Sequence, residues 1–99
     1  MGLDPVAVDS KHYTVEFEND QVRVLRIRYG PGEMSEMHEH PNGVGVFLTD
    51  GEARFHFEDG TSEEMSWKAG DAAWFPAAKH NPENRGDGPI ELIEVELKS

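Results

Sequence analysis

Three histidines carry the chemistry open to this chain. His38 and His40 form an H-x-H pair, and His80 follows forty residues after His40 in another segment that reads as a strand. An extended chain turns alternate side chains to one face. A strand through His38 and His40 therefore presents both rings together, and a third imidazole from a neighbouring strand completes a facial metal site. Imidazole nitrogen suits Fe(II), Zn, Ni, Cu or Co and serves Mg and Ca poorly, since these prefer oxygen. Three protein ligands leave positions for water and substrate, the arrangement of a catalytic site and not of a closed structural one. The chain has no cysteine, so thiolate ligands and disulfides are excluded. The expected cofactor is a divalent transition metal (Fe, Ni, Zn, Mn or Cu) held by His38, His40 and His80. The opposing reading is a metal-free barrel whose histidines are only hydrogen-bonded.

The elements that must position these rings are short strands. Val15-Glu16-Phe17 reads as a first strand, and Val22 to Tyr29 as a second with Val22, Val24, Arg26 and Arg28 on one face. Gly30-Pro31-Gly32 breaks the chain, and Val44 to Thr49 is a third apolar run. Asp50-Gly51 and Asp59-Gly60 are hairpin signals and predict antiparallel neighbours. Ala53, Phe55 and Phe57 alternate with Arg54, His56 and Glu58; Thr61 to Trp67 and Ala72 to Phe75 follow, divided by Ala69-Gly70-Asp71. In the last strand, Ile90 to Leu97, Glu91, Ile93, Val95 and Leu97 oppose Leu92, Glu94 and Glu96. Little reads as helix, and many short strands at this spacing imply a sandwich or barrel.

The 99 residues suffice for one small domain, with the barrel over about 12–97 and residues 1–10 as a loose N-terminal arm. Such an arm suits pairing with a second subunit, so a homodimer is expected. A formal charge of -11 argues against nucleic acid and against anionic membrane surfaces, both of which need clustered cations. The start lacks the basic and apolar regions of a signal peptide, no apolar run is long enough to cross a bilayer, and a cytoplasmic location is expected.

The stretch Gly32-x5-His38-x-His40-x3-Val44-x6-Gly51 resembles the first motif of the cupin superfamily, and Gly70-x5-Pro76-x-Ala78-x-His80-x3-Asn84 resembles the second. The resemblance covers about residues 22 to 97. It implies an all-β, single-domain double-stranded β-helix, the cupin jelly-roll barrel, in which the motif histidines hold a divalent metal inside the barrel. Val44 stands where the family has a glutamate ligand, and Ala78 where glycine is common. A three-histidine variant without glutamate occurs in a few non-haem iron dioxygenases, which keeps dioxygenase-like chemistry open.

Glu36, two residues before His38, and Glu83, three after His80, are the acids placed to replace the missing ligand; Glu33 is a weaker choice. His12 and His56 lie outside both motifs, and neither is expected to do chemistry. Phe47, Phe55, Phe57, Trp67, Trp74 and Phe75 are expected mainly as packing, with one or two walling a pocket. Arg26 and Arg28 either anchor an acidic substrate or form outward salt bridges. The function these residues support is a metal-dependent enzyme acting on a small organic molecule; the alternative is a non-catalytic module that binds or senses a small ligand or metal.

Overall fold

A computed structural model describes residues 3–98. Among them, nine strands follow one helical turn, α1 (Pro5–Val8). The strands are β1 (Tyr13–Glu18), β2 (Val22–Tyr29), β3 (His38–His40), β4 (Gly43–Phe47), β5 (Gly51–Phe57), β6 (Ser62–Trp67), β7 (Ala72–Phe75), β8 (Ala78–Asn84) and β9 (Ile90–Leu97). Five of them form one sheet in the order β1-β2-β9-β4-β7, and the other four a second in the order β3-β8-β5-β6. Every pairing is antiparallel. The architecture is the all-β barrel expected from the alternating sequence.

The two sheets close on one core. Leu25, Ile27 and Tyr29 of β2, Ile90 and Leu92 of β9, and Phe47, Ala53 and Trp67 are its buried apolar residues, with Tyr13. Phe47 and Trp67 stack at 4.2 Å, joining the sheets. The seam between β2 and β9 is the longest in the fold, running in register from Val22 opposite Leu97 to Tyr29 opposite Ile90.

The two Asp-Gly signals do different work. Asp59-Gly60 is a hairpin turn between β5 and β6, with Gly60 at φ 91°. Asp50-Gly51 is not: β4 pairs with β7 and β9, and β5 with β6 and β8, so this turn carries the chain from one sheet to the other. The reason for its glycine is proximity, since a Cβ on Gly51 would stand 2.8 Å from the Trp67 ring. Ala69-Gly70-Asp71 likewise leads from one sheet to the other, from β6 to β7.

Of the expected arm over residues 1–10, residues 1–2 lie outside the described residues, and residues 3–10 fold against the barrel. Asp4 caps α1 by accepting the Ala7 amide at 3.2 Å, Pro5 takes the first turn, where its missing N–H costs nothing, and Val6 packs against the core. Leu3 O accepts the Glu39 amide at 2.8 Å, tying the segment to β3. No helix among the described residues is long and apolar enough to cross a membrane.

His12, set aside in the sequence, is a structural tie. It is 6% exposed, and its ring nitrogens meet the Asp9 carboxylate at 2.8 Å and Glu33 at 3.1 Å. Its ring stacks on Tyr29 at 4.4 Å. Asp9 is equally buried and also accepts the Glu36 amide at 3.2 Å. Removing the ring leaves a buried carboxylate uncompensated, so His12→Ala should cost about 3 kcal/mol of unfolding free energy in urea denaturation. His56→Ala, which breaks a half-exposed pair with Glu83, should cost under about 1 kcal/mol.

Candidate metal centre

β3 is a three-residue strand whose alternation buries His38 and His40 and turns Glu39 outward. It pairs with β8 so that His38 lies opposite His80 and His40 opposite Ala78. The H-x-H pair and the distant histidine are thereby brought into one cluster inside the barrel. The ring centroids stand 4.7 Å apart for His38–His40, 5.0 Å for His38–His80 and 5.2 Å for His40–His80. Each ring offers a nitrogen within 4.8 Å of the other two.

Packing holds each ring. Tyr13 meets His38 edge-on at 4.7 Å, and Phe55 stacks on His80 at 5.4 Å. Hydrogen bonds set the tautomers. His38 Nδ1 donates to the Glu36 carbonyl at 2.8 Å, which leaves its Nε2 a bare lone pair. His40 Nδ1 donates to Glu96 at 2.6 Å, which leaves its Nε2 bare in the same way. Nε2 of His38 and Nε2 of His80 are both buried without any hydrogen-bond partner. A buried polar atom left without a partner costs about 1–3 kcal/mol, so two within reach of one another are a feature that a metal ion would relieve.

The electrostatics favour neutral ligands at two positions. Burial holds His38 down at about 4 and His80 at about 3, each helped by the neighbouring rings. His40 differs: burial opposes its charge, but the Glu96 hydrogen bond and the nearby Glu94 raise it above the ordinary histidine value. Burial pushes the Glu94 carboxyl up to about 7. Tyr13 and Tyr29 share a 2.5 Å hydrogen bond, and burial keeps both firmly phenolic.

The carboxylates beside the cluster come from an unexpected strand. Glu36 is exposed and contributes only its backbone carbonyl. Glu83 turns away, pairing with His56 at 2.9 Å and Arg85 at 3.7 Å, and Glu33 serves His12 and Lys11. Val44 lies on the outer face of its sheet at 36% exposure, so its side chain does not occupy an inward ligand position. The acids inside are Glu94 and Glu96 of β9, 5% and 2% exposed. They lie opposite Gly45 and Gly43 of β4; a Cβ on Gly45 would collide with the Phe75 ring, and one on Gly43 with the Val95 carbonyl. Glu96 also accepts from Arg23 at 3.0 Å, and Arg23 donates to Asp4 at 2.5 Å. His40 is thus held by a chain of charges that begins at the helix cap.

Beside the cluster lies a cavity of about 40 Å³, lined by His40, His80, Tyr13, Tyr29 and Glu94 with an apolar wall that includes Phe55 and Phe75. Arg26 and Arg28 do not reach it; they form outward ion pairs with Glu91 at 2.7 Å and 3.2 Å. Of the aromatic set, Trp74 is the exception to packing, at 55% exposure. Asn84 of the second motif is a clamp, donating to the carbonyls of Tyr29, Gly30 and Gly88.

A double-stranded β-helix with three convergent imidazoles inside defines the class, and the comparisons agree. The family model described as "Cupin domain" matches residues 25–96, and the chain belongs to that family. A crystal structure of a cupin domain from Bordetella pertussis Tohama I is 28% identical, covering 88% of this chain and 92% of its own, with a TM-score of 0.80. A conserved Klebsiella pneumoniae protein with a double-stranded β-helix domain is 27% identical, covering 86% of this chain and 74% of its own, at a TM-score of 0.68. Bacillus subtilis oxalate decarboxylase, described with Mn(II) centres, is 29% identical over 78% of this chain but only 22% of its own, at 0.60. No curated protein sequence matches this chain.

The depressed values of His38 and His80 make a stability prediction for the metal-free protein. The unfolded chain takes up protons near 6.5 that the folded rings refuse, so stability falls as pH drops below that value. His80→Gln removes one such group. Between pH 6.5 and 5 it should lose about 1.5 kcal/mol less than the wild type, as read from urea midpoints at each pH. Equal losses would show that His80 titrates normally in the fold.

Proposed function

We propose that this cupin is a metal-dependent enzyme acting on a small organic molecule, with Fe, Ni, Zn, Mn or Cu held by His38, His40 and His80. The observation that carries the reading is the pair of buried, unpartnered Nε2 atoms on His38 and His80, facing a His40 whose own Nε2 is freed by Glu96. The donor set fits: two rings kept neutral by burial, and a third, His40, backed by a carboxylate of the kind that orients metal-binding histidines. When bound, the ion supplies a Lewis-acidic or redox-active centre with coordination positions left open. The Mn(II) centres named for the oxalate decarboxylase lend support to metal-centred chemistry in this barrel.

The chain's own residues then set what can react. Tyr13, Tyr29, Asn84 and Glu94 line the cavity with His40 and His80, and its walls are largely apolar. Its lining includes no arginine or lysine to pair with a free carboxylate. A water needs roughly 10–15 Å³ on this measure, so 40 Å³ takes about three waters or a ligand of two or three heavy atoms. Dioxygen, water or the head of a small organic acid or diketone fits that space, and oxidative cleavage or another metal-assisted transformation is the reaction class. The expected setting is cytoplasmic, with a homodimer as the working unit.

The same small volume favours one alternative, a module that holds a metal or small ligand without turnover. Full metal occupancy with no oxygen uptake and no substrate consumption would select it. On reconstitution followed by calorimetry, His80→Ala should abolish stoichiometric metal uptake, and Glu96→Gln should weaken affinity about 10–100-fold by loosening the His40 ring. Unchanged uptake in His80→Ala would remove the centre as described.

A further inference from the structure

The outer face of the five-stranded sheet is apolar on a chain whose net charge is -11. Its registers align one apolar row across all five strands. Phe17 lies opposite Val24, Val24 opposite Val95, Val95 opposite Val44, and Val44 opposite Trp74. A second row beside it takes in Ile93, Val46 and Ala72. These are not small fringes of a covered core: Phe17 and Trp74 are each 55% exposed, Val44 36% and Val46 37%.

Charge on this face is confined and neutralised. The outward positions of the five strands carry Glu16, Arg26, Arg28 and Glu91, two of each sign. They satisfy one another: Arg26 with Glu16 at 3.2 Å and with Glu91 at 2.7 Å, and Arg28 with Glu91 at 3.2 Å. The excess acid lies elsewhere on the molecule.

We propose that this face is the contact between two copies of the chain, the apolar row of one laid across that of the other about a two-fold axis. Two molecules at -11 repel over the rest of their surfaces, and this face brings together charges that sum to zero. An anionic partner would find no unpaired cation here, and a cationic one no unpaired acid. Five strands at about 4.8 Å spacing, with outward residues over about 20 Å along them, present on the order of 500 Å² per copy. The pair would bury on the order of 1,000 Å², where specific protein contacts begin. Face-to-face sheets stack about 10 Å apart with their strands nearly aligned, a geometry open to a flat self-complementary surface. Phe17 and Trp74, at the two ends of the row, are the large aromatic anchors of the contact. The face is the reverse side of the sheet that carries Glu94 and Glu96, so the contact leaves the inner cavity untouched.

Sedimentation velocity on the full chain, from about 1 to 100 µM, measures the association directly. The wild type should sediment at twice 11.1 kDa. Val44→Glu places two like charges at the centre of the contact and should raise the dissociation constant at least about 100-fold, with the circular dichroism of the fold retained. Trp74→Ser removes an end anchor and should raise it at least about 10-fold; it decides the matter if Val44→Glu fails to fold. A wild type that stays at 11.1 kDa throughout overturns the proposal and leaves the face to a different partner. A dimer that both folded variants keep at the wild-type constant overturns it as well.

Discussion

Two buried imidazole nitrogens with no hydrogen-bond partner are the feature around which the rest of the structure is arranged. Burying a polar atom with no partner is unfavourable by about 1–3 kcal/mol, and Nε2 of His38 and Nε2 of His80 are both in that state. The backbone pairing of β3 with β8 leaves them no choice. Once His38 lies opposite His80, the two rings share one face and converge, and the His38 hydrogen bond to the Glu36 carbonyl commits its proton to the far nitrogen. A fold that keeps this arrangement gives up stability at a position that apolar side chains could have filled.

The surrounding residues keep two of the cluster's rings neutral and hold all three in place. Burial prevents His38 and His80 from taking protons near neutral pH, while Glu96 and Glu94 concentrate positive charge on His40. Glu96 is itself held by Arg23, which is held by Asp4 at the cap of α1. The helical turn before the barrel is therefore part of the support of the site, and Leu3 adds a backbone bond to β3 between the two histidines. On the other side, Asp9, His12, Glu33 and the stacked Tyr29 fix Tyr13 against His38.

Much of this was legible in the sequence, for physical reasons that differ by residue. The period of two made His38 and His40 face together wherever β3 began, and the motif resemblance supplied His80, whose contact depends on long-range pairing that periodicity does not specify. The same period does not say which face of β9 turns inward. Its richer apolar face, Ile93, Val95 and Leu97, looks like a core face, yet it points outward, and Glu94 and Glu96 share the interior with Leu92. Only the strand pairing reveals this, since Glu94 and Glu96 lie opposite the inward Gly45 and Gly43. Asp50-Gly51 misled: a hairpin and a crossing between sheets can use the same two residues, and the strand pairing, with Trp67 close against Gly51, shows the crossing. His12 was unreadable for a simpler reason, since Glu33 and the stacked Tyr29 become its neighbours only when the chain folds back.

The central claim is that the three imidazoles hold a metal. Elemental mass spectrometry of untagged, freshly purified protein tests it most directly. The account predicts close to one equivalent of Fe, Ni, Zn, Mn or Cu per chain. Protein that arrives without metal, and takes up none on anaerobic reconstitution at neutral pH, would contradict it and leave the bare nitrogens of His38 and His80 to some other ligand.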